Sequence, residues 1–390
     1  MFRKFSENDL EDRPQARQTL RRIAVLALLL SRPIATYAQP PQASSATQET
    51  SPSPASQAPD PHDAMDQEST RLQLRGFADV QFRASNERGT PSTFSIGQLD
   101  LFITSRLASD LSLVSEVVFE ADDENRYTLD VERLLLQFSP SDYFNIGVGR
   151  YHTAIGFYNN AYHHGAWFQT ALGRPQLFKF EDDGGILPIH GVGVTARGRI
   201  PSGKLGLRWI GEIANGRRYG DAEAVQVVQD DSSNKAVNVG FLLRPEWVPG
   251  LQSGLSVYRD KPASRSGRVN QSIIAAHLVY QSGAFEQLNE VVFIRNTPTG
   301  EARTSTTTGI YTQVSRRFGR LSPYIRYEHL DVPPDDPLFG NLGGVSGPSI
   351  GVRYDFRDLA ALKIQWDRFT RRPGATDAIN AVTAQVAFTF

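Results

Sequence analysis

From residue 72 to the C-terminus the chain alternates apolar and polar residues with a period of two, and that periodicity leaves few folds open. In the first segment Leu72, Leu74, Gly76, Ala78, Val80 and Phe82 interleave with Gln73, Arg75, Phe77, Asp79, Gln81 and Arg83. The same alternation, punctuated by turn residues, predicts strands at 72–83, 94–106, 111–121, 127–138, 143–151, 189–200, 205–214, 235–244, 251–259, 270–280, 285–295, 308–317, 321–329, 348–356, 361–370 and 380–390. Most run about 9–13 residues, the length with which a tilted strand crosses the hydrocarbon layer and about twice a usual soluble strand. Two segments, Asp130 to Phe138 and Glu286 to Ile294, switch which parity is apolar, so bulges are expected in both.

The connections alternate too. Ala108–Asp110, Ser139–Asp142, Pro201–Lys204, Pro245–Gly250, Ser282–Ala284, Gly319–Arg320 and Arg357–Ala360 are short, and those between them are mostly longer and more polar. This is the asymmetry of a membrane barrel with tight turns at one end and extended loops at the other. Aromatic residues fall in two bands: Phe138, Phe144, Trp247, Phe285, Phe318, Phe356 and Phe390 on the turn side, and Phe82, Phe94, Phe119, Tyr127, Tyr258 and Trp366 toward the loop side. Interfacial girdles require two such bands. A soluble β-sandwich also alternates, but one two-layer domain rarely needs sixteen long strands.

Composition fits this reading. The 390 residues include no cysteine, which excludes a disulfide framework, thiolate metal sites, a cysteine nucleophile and a lipidated cysteine. A net charge of -1 argues against a nucleic-acid partner. A mean hydropathy of -0.35 with one uninterrupted apolar run excludes a helical membrane protein but not a barrel, whose strands average out. That run, Ile23 to Leu30, follows Arg21 and Arg22 and precedes Thr36-Tyr37-Ala38, so residues 1–38 read as a signal peptide cleaved after Ala38. Residues 39–70 are rich in Pro, Ser, Gln and Ala, with no aromatic residue and no Lys or Arg, and read as a disordered periplasmic spacer. Residues 71–390 form the barrel.

The last segment carries the most specific local pattern. Val382, Ala384, Val386, Phe388 and Phe390 face one way, Thr383, Gln385 and Thr389 the other, and the chain stops on phenylalanine. It resembles the C-terminal targeting strand of Gram-negative outer-membrane proteins, with Phe388 and Phe390 as the assembly signal. With the signal peptide, the strand count and a long third loop, residues 71–390 resemble bacterial outer-membrane porins of the general or phosphate-selective type. The resemblance implies an all-β fold, a transmembrane antiparallel barrel of about 16 strands with its third loop folded into the lumen. It implies passive diffusion of small hydrophilic solutes or ions through a water-filled pore in the bacterial outer membrane. It further implies outer-membrane lipid, lipopolysaccharide and the barrel assembly machinery as partners, a homotrimer, and no cofactor.

In that frame the lumen wall carries Arg75, Arg197, Arg199, Arg208, Arg326, Arg353 and Lys363 against Asp79, Asp100, Glu116, Glu120, Asp130, Glu212, Glu328, Asp355 and Asp367. Of these, Arg75, Arg208, Arg326, Arg353, Lys363 and Glu116 are the pore-wall candidates. The set is mixed, many members can neutralise one another across strands, and no ladder of bases with few acids is visible. The connection from His152 to Pro188 is too long and too aromatic for a loose external loop. It supplies the constriction candidates His152, His163, His164, Arg174, Lys179, Glu181, Asp182 and Asp183, with Glu181, Asp182 and Asp183 expected to face some of Arg208, Arg326 and Arg353.

Other chemistries are weaker. Four of the seven histidines, His152, His163, His164 and His190, lie in or beside the loop, but their spacing matches no metal motif. An outer-membrane lipid hydrolase needs a serine beside a histidine, and neither His277 nor His329 has an assignable serine. A non-conducting structural barrel is the remaining alternative. Gly343-Gly344 opens no phosphate-binding helix.

Overall fold

A computed structural model describes residues 72–390, except 122–125, 163–164, 182, 220–223, 227–232, 265–266 and 373–377. The signal peptide and spacer, His163, His164 and Asp182 therefore lie outside the described residues.

Alternation is expressed as strands because each residue pair sends one side chain to lipid and one to the lumen. The wall strands are β1 (Leu72–Ser85), β2 (Thr93–Arg106), β3 (Leu111–Ala121), β4 (Tyr127–Ser141), β5 (Phe144–His152), β6 (His190–Arg199), β7 (Leu207–Asn215) and β8 (Lys235–Leu243). They continue as β9 (Leu251–Asp260), β10 (Gly267–Ser282), β11 (Phe285–Pro298), β12 (Ser305–Arg316), β13 (Leu321–Asp331), β14 (Gly344–Arg357), β15 (Ala360–Arg372) and β16 (Ile379–Thr389). Each pairs antiparallel with its neighbours, and β16 returns to β1 through a register running from Phe77↔Thr389 to Ser85↔Ala381. The sheet closes into a barrel, which leaves no edge strand open to lipid. Three short strands, Arg217–Tyr219, Ala224–Gln226 and Ala263–Ser264, join the connections after β7 and β9.

Of the two expected bulges, one is present. The register of β3 on β4 shifts between Val117↔Val131 and Glu116↔Arg133, leaving Glu132 as the extra residue and turning Glu132 and Arg133 both inward. Glu286 to Ile294 has no bulge and pairs without a shift on both sides. There the apolar residues Leu288, Val292 and Ile294 face the lumen because the lumen holds a hydrophobic cluster. Tyr258, assigned to the outer aromatic band, also faces inward: it is buried and donates to Asp260 at 3.3 Å. The exposed aromatics Phe94 and Tyr127 at the loop end, and Phe138, Phe144, Trp247 and Phe318 at the turn end, keep the two bands.

The C-terminus completes the closure. Phe390 and Gly76 exchange backbone hydrogen bonds of 2.9 and 3.0 Å, and the Phe390 ring lies over Gly76 so closely that a Cβ there would sit 2.2 Å from it. The glycine thus provides the seat for the terminal aromatic, an arrangement worth about 1 kcal/mol on the scale of aromatic cross-strand contacts. Gly76→Leu should unseat the ring and, like Phe390→Ala, lower the temperature at which the heat-resistant folded band is lost on gels. An unchanged transition in both variants would make the contact incidental.

Candidate functional site

Residues 153–189 connect β5 to β6 and fold into the lumen, so their backbone amides and carbonyls need partners there. The wall supplies them in two strips. Arg326 donates to the carbonyls of Leu172 (3.0 Å) and Gly173 (2.9 Å). Arg353 donates to those of Gln169 (3.1 Å) and Trp167, and Lys363 to that of Ala166 at 2.5 Å. These bases stand on β13, β14 and β15, with Arg353 and Lys363 directly paired in register. The acids take the amides: Glu212 accepts from Ala154 (3.0 Å), Asp100 from Gly165 (2.9 Å), and Glu328 from Gln176.

Glu290 holds the α-helical turn of the loop, Tyr158–Ala161. It accepts from the amides of Phe157 (2.6 Å) and Tyr158 (2.8 Å) and from the Tyr311 hydroxyl (2.6 Å). Gly156, at φ +71°, permits the approach, since a Cβ would lie 2.4 Å from the Glu290 carboxylate. Charge-assisted bonds of this kind are the strong ones, about 1.5–3 kcal/mol each.

Inside the loop, Arg174 donates to the Phe178 carbonyl (2.5 Å) and to Asn159 (3.2 Å), with its guanidinium 4.0 Å from the Phe180 ring centre. Burial lowers its pKa to about 10, with Tyr158 and Glu181 opposing the shift. Glu181 accepts from the amides of Ile189 (2.7 Å) and His190 (3.3 Å). Burial pushes its carboxyl up, but His190 and the backbone bonds prevail and hold it below the usual range. Ile155, Leu177, Phe178, Ile186, Leu187 and Ile189 pack on the inward faces of β10–β13. A second inward connection joins them: Phe339 enters the same cluster, and Asp336 accepts from the amides of Leu338 and Phe339 and from Asn296 and Thr307. Burying each large apolar side chain contributes about 1.5–3 kcal/mol.

The sequence-derived candidates thus divide. Arg326, Arg353 and Lys363 are buried or nearly so and grip loop carbonyls, while Glu181 turns back on its own loop rather than toward those bases. Wall carboxylates already take these bases, Glu328 with Arg326 at 2.9 Å and Asp355 with Arg353 at 2.8 Å, and loop carbonyls take their remaining N–H groups. His152 belongs to β5 and not to the loop; it contacts Glu116 at 3.3 Å, and Glu116 also takes Arg133 at 2.7 Å. Arg174, Lys179 and Asp183 line a cavity of about 430 Å³ toward the long loops, with Asp79 and Asp367 opposite. Arg75 and Glu116 line a cavity of about 290 Å³ toward the short turns, and Arg208 one of about 540 Å³. Asn160 borders both.

The outer and inner cavities both touch Phe77, whose ring meets Phe168 of the loop at 4.8 Å. Sequence reading missed this pair because Phe77 sits on the polar parity of β1. It also missed Glu290, which shares its parity with the apolar Leu288, Val292 and Ile294. Among the described residues neither His277 nor His329 has a serine hydrogen-bonded to its ring; His277 meets Gln252 at 3.1 Å.

Replacing Glu290 by Gln keeps the shape but removes one acceptor, leaving a buried amide unpaired at a cost of about 1–3 kcal/mol. Hydrogen exchange at Phe157–Asn160 should accelerate in the folded variant while β11 stays protected. Unchanged exchange there would show that the carboxylate does not hold the turn.

No protein-family model matches the chain, and no curated protein matches it. Solved structures do. The anion-selective porin from Comamonas acidovorans aligns with TM-score 0.61 and 13% identity, covering 83% of this chain and 100% of that one. The outer membrane channel DcaP of Acinetobacter baumannii aligns at 0.57 and 12%, covering 82% and 97%. Salmonella typhi OmpF aligns at 0.55 and 12%, covering 82% and 98%. At such identities the likeness is one of fold, and the fold of this chain is the closed sixteen-strand barrel of the outer-membrane porins.

Proposed function

We propose that this protein is an outer-membrane porin that lets small hydrophilic solutes or ions diffuse through a lumen narrowed by residues 153–189. The observation that carries this reading is the loop itself: wall charges fasten it across the lumen, and cavities remain on both of its sides. A purely structural barrel has no need of a loop clamped at so many points with open space beyond it. Residues 1–38 direct export, residues 39–70 act as a periplasmic spacer, and the terminal strand with Phe388 and Phe390 is read by the assembly machinery. Lipid and lipopolysaccharide surround the apolar outer face. A trimer form of OmpT from Vibrio cholerae, which has the same fold at 10% identity and TM-score 0.56, supports a homotrimer here.

The narrowest passage is assigned to the Phe77–Phe168 contact, because Phe77 borders both the outer and the inner cavity. Arg174, Lys179 and Asp183 with Asp79 and Asp367 form the charged approach from outside, and an aqueous pore screens such charges over about 8 Å at physiological ionic strength.

Planar-bilayer recording of the refolded chain should give stepwise currents, and Phe168→Ala should raise the size of each step. Folded protein that inserts without any conductance would overturn the porin reading. Equal steps in the wild type and Phe168→Ala would move the constriction away from this pair.

A further inference from the structure

The bases of the lumen are not used alike. Those on β13–β15 are consumed by the loop backbone, and Arg133 is paired with Glu116. At the short-turn end of β6–β9 the balance differs. Arg199 and Arg208 are direct register partners, Arg197 lies two residues from Arg199, and Arg244 follows β8 immediately. All four guanidinium-bearing residues line the cavity of about 540 Å³.

Their partners are few. Asp142 takes Arg199 at 3.2 Å and is itself 75% exposed. Among the described residues Arg197 and Arg244 donate to neutral acceptors, Gln137 at 3.1 Å and Gln252 at 2.7 Å. The Arg208 side chain has no hydrogen-bond or ion-pair partner among the described residues. Glu212, the nearest acid on β7, is already engaged with the Ala154 amide and Asn238. Like charges placed opposite one another on paired strands repel, and among the described residues Asp142 at the rim is the one carboxylate in ion-pair contact with them, with Glu212 acting on Arg197 from farther off. Phe157 and Asn160 of the fastened loop line the same cavity, and Arg199 at its rim is half exposed.

We propose that Arg197, Arg208 and Arg244 form a binding site for small oxyanions carrying two or more negative charges, of the carboxylate or phosphate kind. Guanidinium forks match the paired oxygens of both groups, and three forks from adjacent strand ends converge on one anion where a single chloride would satisfy only one. A solute that has passed the loop meets this site before leaving at the short-turn end. The site deepens the porin reading by naming the class of solute it would retain, and it rests on that reading for its place in transport, not for binding itself.

The test is calorimetric titration of the detergent-refolded full chain with citrate and, separately, pyrophosphate at fixed ionic strength. Both should bind the wild type, and the double variant Arg197→Gln/Arg208→Gln should bind about tenfold or more weakly. Arg295→Gln, an exposed change on the outer face, should bind as the wild type does. Heat-resistant gel mobility verifies that each variant is folded. Citrate alone binding would restrict the class to carboxylates, pyrophosphate alone to phosphates, and either result supports the site if the double variant loses it. No binding to folded wild type, or equal binding by the double variant, overturns the proposal. Absence of single-channel currents from the same preparation would instead refute the porin reading and leave the binding result standing.

Discussion

A backbone inside a barrel lumen must find hydrogen-bond partners, and this requirement organises the molecule. A loop that lay against an apolar wall would leave its amides and carbonyls unpaired at a cost of about 1–3 kcal/mol each. The wall meets the demand with charges whose sign matches the backbone group presented: carboxylates from β2, β7, β11 and β13 to amides, bases from β13, β14 and β15 to carbonyls. The hydrophobic cluster beneath the loop fills what remains of that side of the barrel. Open space then lies where the loop is not.

This explains why the strands were legible in the sequence and the site only partly so. Strands against lipid keep a strict period of two, so even the parity change near Glu132 could be located and proved to be a bulge. The parity change at Glu286–Ile294 has the opposite cause, a lumen that is apolar because a loop packs there, and periodicity cannot distinguish the two. The length and aromatic content of residues 153–189 reveal that the loop has a packed role. Its fastening is invisible, because Arg326, Arg353 and Lys363 bind carbonyls, which every residue type carries. The inward course of the connection after β13 was missed, although Val332, Leu338 and Phe339 around Asp336 hold its signal: apolar anchors beside a side chain suited to capping a turn.

Charge at the level of the whole barrel is close to balanced, and so composition says nothing of selectivity. Position does. The same residue type is a structural fastener on β13 and β14, where a carboxylate and the loop backbone both take it, and at the ends of β6–β8 it is held mostly by neutral groups. A count of lumen arginines would give both groups equal weight.

Consecutive loop residues also reach across the place where the chain's ends meet. Gly165 is held by Asp100 of β2 and Ala166 by Lys363 of β15, and between those two strands lie only β1 and β16. The loop therefore acts as a tie across the seam on its inner side, while Phe390 over Gly76 fastens the outer side. The outer tie waits for the last strand, and the inner one needs β2 and β15 both in place, so each rests on contacts of long sequence separation. A barrel caught with its seam open would keep the loop's holds on β7 and β11–β15 but lose the bridge through Gly165 and Ala166, so closure sets the last of the loop's fastenings.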